Sequence, residues 1–215
     1  MTESPFLHAT RVAYDRIAAD YAEKFSVELR DKPLDRALLT AFAELVRSGG
    51  AGPVADVGCG PGHVTAQPHA LGLDVLGVDL SPEMLAQARR AYPELRFDEG
   101  SMTGLDLADG TLGGVTALYS TIHIPTERLP DVFAEFRRVL APGGYLLLAF
   151  QVGDELRLRT EAFGHAISLQ YHLRPPDRVA ELLGAAGLPV LARLVREPGE
   201  GETVPRAYLL ARRPG

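Results

Sequence analysis

Val54-Ala55-Asp56-Val57-Gly58-Cys59-Gly60-Pro61-Gly62-His63-Val64-Thr65 decides how this chain is read. An apolar run ends in an acid, three glycines follow at alternate positions, and a helix is expected from about residue 61 to 70. Glycine has no Cβ, so the turn can be tight and a ligand can approach the backbone. The start of the helix would turn its unpaired N–H groups and positive dipole end towards the loop. A second apolar run, Val75-Leu76-Gly77-Val78-Asp79, ends in a second acid. A carboxylate at that strand end can accept both hydrogen bonds of a ribose diol. Loop and acid together describe a nucleoside-binding edge of a parallel sheet.

Outward from this stretch, helices and strands alternate. Helices are expected over Ala9–Phe25, from Pro33 to Ser48, from Pro82, from Thr126 to Leu140 and over 176–186. Strands are expected near 53–57, 74–79, 95–99, 114–119, 145–150, 189–196 and 206–213. The purely apolar run Tyr145–Phe150 suits a central parallel strand buried on both faces. Such alternation predicts an α/β fold, a mostly parallel sheet wrapped by helices on both faces. Residues 152–174 fit no element.

The glycine spacing is G-x-G-x-G, with His63 where a dinucleotide-binding loop needs its last glycine. Asp56 would repel a pyrophosphate and suits a positively charged ligand. Asp56-Val57-Gly58-Cys59-Gly60-Pro61-Gly62, followed by Gly77-Val78-Asp79-Leu80-Ser81-Pro82-Glu83-Met84-Leu85, resembles the class I S-adenosylmethionine-dependent methyltransferases. The similarity runs from about residue 10 to the end and is strongest to small bacterial members with an N-terminal helical lid. It implies a Rossmann-like sheet in the order 3-2-1-4-5-7-6, with strand 7 antiparallel. It also implies a lid over 1–50, a cofactor-binding domain over 51–215, and 152–174 as an insertion covering the substrate.

The resemblance carries residue roles with it. Gly58, Gly60 and Gly62 would pass under the methionine part of S-adenosylmethionine, and Asp79 would hold the ribose. Leu80 and Met84 would flank the adenine, and Gly100-Ser101-Met102 would cap it, with serine where many relatives have an acid. Tyr14 and Tyr21 share one helix face and could fold over the methionine carboxylate, with Arg11 or Arg16 nearby. Tyr119, Ser120 and His123 follow strand four, where the transferred methyl would emerge. His123 is the candidate base, since imidazole titrates near neutrality. Gln151, His165 and His172 complete a candidate acceptor set.

Composition bounds the partners. The formal net charge of −6 argues against a general nucleic-acid binder, which needs a basic face. The Asn/Asp-Pro-Pro-aromatic signature of amino-group DNA methyltransferases is absent after strand four. No apolar run is long enough to cross a membrane. Met1–Pro5 does not read as an export signal, and the one cysteine, Cys59, cannot make an internal disulfide; both suit a cytoplasmic protein. His63 and His69 are spaced poorly for a shared metal. The expected activity is methyl transfer to oxygen or nitrogen of a small metabolite, yielding S-adenosylhomocysteine. The alternative is a protein that binds the cofactor without transferring a methyl group. Nothing in the sequence sets the oligomeric state.

Overall fold

The computed structural model describes residues 4–25, 28–50 and 52–215; the reading of the first three residues lies outside them. Seven strands form one sheet: β1 (Val54–Val57), β2 (Val75–Asp79), β3 (Arg96–Glu99), β4 (Leu112–Leu118), β5 (Leu140–Gln151), β8 (Val190–Arg196) and β9 (Arg206–Arg212). Their order is β3-β2-β1-β4-β5-β9-β8, and β9 runs antiparallel to both its neighbours. Counted within the sheet alone, this is the order the sequence led us to expect, with a reversed last strand inserted beside the fifth.

Alternation along the strands divides the core into two layers. Leu146 and Leu148 face one layer, with Val132, Phe133 and Phe136 of α5 (Leu129–Val139) and Val179 and Leu183 of α6 (Pro176–Ala185). Tyr145 and Leu147 face the other, with Leu39, Phe42 and Val46 of α2 (Pro33–Ser48). Both faces are covered, as a parallel sheet requires. α4 (Pro82–Ala91) is capped as its sequence implies, the Ser81 hydroxyl accepting the Met84 N–H at 3.1 Å.

Three expectations change. The helix after the glycine loop, α3, spans only Ala66–Ala70. Gly60 (φ +54°) and Gly62 (φ +85°) are left-handed, so no helix can begin at 61. Thr126 opens a single 3-10 turn, and α5 starts at Leu129. Residues 152–174 contain a hairpin, β6 (Leu156–Ala162) and β7 (His165–His172), forming a separate two-stranded sheet. Its two-residue turn, Phe163 (φ +52°) and Gly164 (φ +77°), has both residues left-handed, as tight hairpin turns favour.

The first helix, α1, runs from Pro5 to Phe25, one turn longer at its start than expected. It lies outside the sheet layers, between α4 and the hairpin. Ile17 and Ala18 pack with Met84 and Ala162. Arg16 donates to the Ala166 carbonyl at 2.6 Å, and Asp20 meets His165 Nε2 at 2.9 Å. Of the helical segment before residue 50, α1 roofs the strand ends while α2 packs on the sheet.

Candidate functional site

A cavity opens at the carboxyl ends of β1, β2 and β4 and is roofed by α1. Its floor is the glycine loop. The N–H groups of Gly58 and Cys59 both donate to the Val78 carbonyl, at 2.7 and 3.1 Å, tying the loop to β2. Gly58 (φ +77°) lies so close to the next wall that a Cβ there would sit 2.2 Å from Ser120 Cβ. At Gly60 a Cβ would meet no protein atom within 4 Å, so the backbone itself borders the cavity. Gly62 is not in the wall; a Cβ there would strike the Phe97 ring at 2.8 Å, so its smallness serves packing.

Asp79 ends β2 with its carboxylate at the cavity. Oδ2 accepts the Gly60 N–H at 2.7 Å and Oδ1 the Ser81 N–H at 2.9 Å. Burial pushes its pKa up, and those backbone donors pull against the rise. Each oxygen keeps a lone pair for a further donor. Leu80, Met84, Gly100, Ser101 and Met102 line the same end of the cavity. Ser101 Oγ is 2.8 Å from Thr103 Oγ1.

Asp56, expected to face a ligand, does not reach the cavity. It is buried under the loop, where Oδ2 accepts from Thr65 Oγ1 at 2.7 Å and Oδ1 from Thr116 Oγ1 at 2.9 Å. It therefore ties β1 to β4 and to the end of the glycine loop. Burial raises its pKa to about 6, against the pull of both threonine hydroxyls.

The opposite wall carries Leu118, Tyr119, Ser120 and His123. Tyr119 holds a left-handed backbone, φ +56°, uncommon for a non-glycine residue. Its hydroxyl is 2.8 Å from that of Tyr208, which donates to Asp35 Oδ1 at 2.9 Å. Because the Tyr208 proton goes to Asp35, Tyr119 must be the donor to Tyr208. Ser120 Oγ donates to the Val57 carbonyl at 2.7 Å.

His123 is buried. Its Nδ1 lies 2.9 Å from the Gln170 carbonyl oxygen, which can only accept, so Nδ1 carries the proton. Nε2 therefore accepts the Tyr14 hydroxyl at 2.8 Å. Burial lowers the His123 pKa to about 4, the Gln170 bond opposing the shift. Buried Arg174 fixes the turn bearing His123, donating to the carbonyls of Thr121 and Ile124 and to Thr126 Oγ1. From the roof, Tyr14 and Tyr21 both line the cavity, with ring centroids 5.9 Å apart at 81°.

The remaining sequence candidates lie elsewhere. Gln151 closes β5, its carbonyl taking the Arg174 N–H at 3.2 Å. His165 joins the hairpin to α1 through Asp20. His172 sits on β7 outside the cavity wall, its Nε2 buried with no hydrogen-bond partner. Three expected acceptor contacts thus become structural or peripheral. The sequence reading missed Lys32 and Asp35, which border the cavity from the start of α2. They are remote in sequence from every motif, and only the folding of α2 beside β4 brings them in. Among the described residues, no group of three or more His, Cys, Asp or Glu side chains is arranged to hold a metal, and no helix is long and apolar enough to cross a membrane.

The chain is similar to known methyltransferases. A family described as a methyltransferase domain matches residues 54–144. Malonyl-[acyl-carrier protein] O-methyltransferase of Pectobacterium atrosepticum is 35% identical over 166 residues, 76% of this chain and 61% of the relative. Trans-aconitate 2-methyltransferase of Rhizobium meliloti is 39% identical over 144 residues, 65% of this chain and 50% of the relative. The chain thus spans about three-fifths or less of the length of these curated relatives. The solved DhpI–SAH complex shares the fold, with TM-score 0.75 over 99% of both chains at 24% identity.

Proposed function

The chain carries the methyltransferase domain of the class I, S-adenosylmethionine-dependent family, and on that premise we propose that it transfers a methyl group from S-adenosylmethionine to an oxygen or nitrogen of a small metabolite. The observation that carries this reading is the Asp79 carboxylate, fixed by the Gly60 and Ser81 N–H groups with lone pairs left over at the cavity. One relative is named for trans-aconitate, which supports a small-metabolite acceptor here; another is named for malonyl-[acyl-carrier protein], a carrier-borne acceptor.

The residues present fit the cofactor. Asp79 binds the ribose diol. Gly60, with open space where a Cβ would stand, lets the backbone approach the methionine part. Leu80, Met84 and Met102 flank the purine, and Gly100 and Ser101 offer backbone and hydroxyl groups to its edge. When bound, the cofactor supplies a methyl group already activated by the sulfonium charge. The protein's share of the work is therefore alignment and exclusion of water. α1 and the β6–β7 hairpin do this together: Tyr14 and Tyr21 close the cavity from above, and His123 holds Tyr14 in place while hydrogen-bonded to the hairpin. Tyr119 and Ser120 shape the wall facing the acceptor.

Incubation with S-adenosylmethionine and a panel of small acids, alcohols and amines tests the reading, with formation of S-adenosylhomocysteine and of the methylated acceptor measured together. Transfer to at least one panel member is expected. Tight cofactor binding without transfer to any of them would favour a binding protein instead.

A further inference from the structure

Resting on the methyl-transfer reading above, we infer that the acceptor is a small organic acid, methylated on a carboxylate oxygen that enters already ionised, with Lys32 as its charge partner. The carboxylate oxygen attacks the methyl carbon. The new O–C bond forms as the C–S bond breaks, and the electron pair of that bond stays on sulfur. A neutral methyl ester and a neutral thioether result. No proton is released, so no base is needed.

Two sets of observations point this way. The first is charge. Among the described residues, the cavity wall holds two cations, Arg11 and Lys32, and two carboxylates, Asp35 and Asp79. The wall is balanced, and the amino-acid end of the cofactor is a zwitterion. The sulfonium then leaves one positive charge in excess. An anionic acceptor compensates that charge, whereas a protonated amine would add a second buried cation. Lys32 lines the wall beside the end of β4, its ammonium 5.8 Å from the Tyr119 ring centroid. Arg11, on the roof helix, meets His8 Nδ1 at 3.2 Å and Asp15 at 3.8 Å.

The second is the state of the proton acceptors. The His123 Nε2 lone pair is taken by the Tyr14 hydroxyl, and its other nitrogen is committed to Gln170. Burial disfavours an imidazolium there. The Asp79 oxygens hold two backbone N–H groups, and Asp35 accepts from Tyr208. Tyr14 and Tyr119 are phenols whose pKa values burial pushes further up. An alcohol or an ammonium would have to give its proton to one of these groups or to His63, which also lines the cavity. A carboxylate asks nothing of them.

The experiment uses the full chain, S-adenosylmethionine, and matched sets such as butyrate and malonate, butanol, and butylamine. Methyl esters of acids are expected, at a rate constant within about twofold from pH 6 to pH 9. Calorimetry of the best acid against the S-adenosylhomocysteine complex gives a second readout. Lys32→Met is expected to weaken acid binding at least about tenfold and S-adenosylmethionine binding less than about threefold, with Lys32→Arg keeping most of the acid affinity. Preferential methylation of the alcohol or amine would overturn the inference. So would a rate that rises with pH and loses that rise in His123→Gln or His63→Gln, or a Lys32→Met variant that loses cofactor affinity and keeps acid affinity. Cofactor binding with no transfer to any class would sink the methyl-transfer reading, and this inference with it.

Discussion

The Tyr14 hydroxyl donates to Nε2 of His123 at 2.8 Å, linking the roof helix to the turn after β4. The same imidazole donates from Nδ1 to the Gln170 carbonyl on the hairpin at 2.9 Å. One buried neutral ring, itself in the cavity wall, therefore joins three elements: α1, the β4 turn and β7. Its tautomer follows from its partners.

This ring sets a stability window. The unfolded chain protonates His123 near pH 6.5, the folded chain only near 4. Between those values the unfolded state binds more protons, so stability falls as pH drops through the window. The penalty at pH 5 is about 2 kcal/mol. Denaturation curves at pH 7.5 and pH 5 should therefore show His123→Gln losing less stability on acidification than the parent, by about that amount. Parallel losses in both proteins would show that the ring is not held neutral by burial.

Asp56 has the opposite sign. Its pKa rises from 3.8 to about 6 on folding, so the folded state binds more protons between those values. Its contribution is largest at low pH and is lost as pH rises through the folded value. Relative to the parent, Asp56→Asn should gain about 2 kcal/mol of stability between pH 4 and pH 7. A pH-independent difference would mean that Asp56 is not the buried, threonine-bound acid described above.

Two glycines of one loop should fail differently. Gly58→Ala forces a left-handed alanine and a Cβ 2.2 Å from Ser120 Cβ, so it should cost stability, at least about 2 kcal/mol. Gly60→Ala meets no protein atom, so it should cost about 1 kcal/mol through its positive φ alone. Its methyl group borders the cavity, and S-adenosylmethionine affinity should fall by tenfold or more, on the order of 1.4 kcal/mol. Equal stability losses with unchanged cofactor affinity in Gly60→Ala would remove the loop from the binding site.

The sheet and its ligand edge were legible because their signals are local. Apolar runs, alternate glycines and strand-end acids lie within a few residues of one another, and Tyr14 and Tyr21 repeat at helical spacing. The hairpin was not legible. Leu156-Arg157-Leu158-Arg159 does alternate, but the run is short, its leucines stay exposed instead of marking a core face, and Phe163-Gly164 is not a common turn pair. The short α3 followed from backbone angles at Gly60 and Gly62 that their spacing does not reveal. The place of Asp56 depends on Thr65 and Thr116, the latter on another strand. Lys32 and Asp35 enter the cavity wall only through tertiary packing of α2, and His165 leaves it because Asp20 on α1 claims it.

The central claim is that this cavity binds S-adenosylmethionine with its ribose on Asp79, and calorimetric titration of the parent and of Asp79→Ala tests it most directly. The parent is expected to bind S-adenosylmethionine in preference to a nicotinamide dinucleotide. Asp79→Ala loses charge-assisted hydrogen bonds, so its affinity is expected to fall at least about tenfold. Unchanged affinity in the variant would contradict the ribose assignment, and a parent that prefers the dinucleotide would contradict the account as a whole.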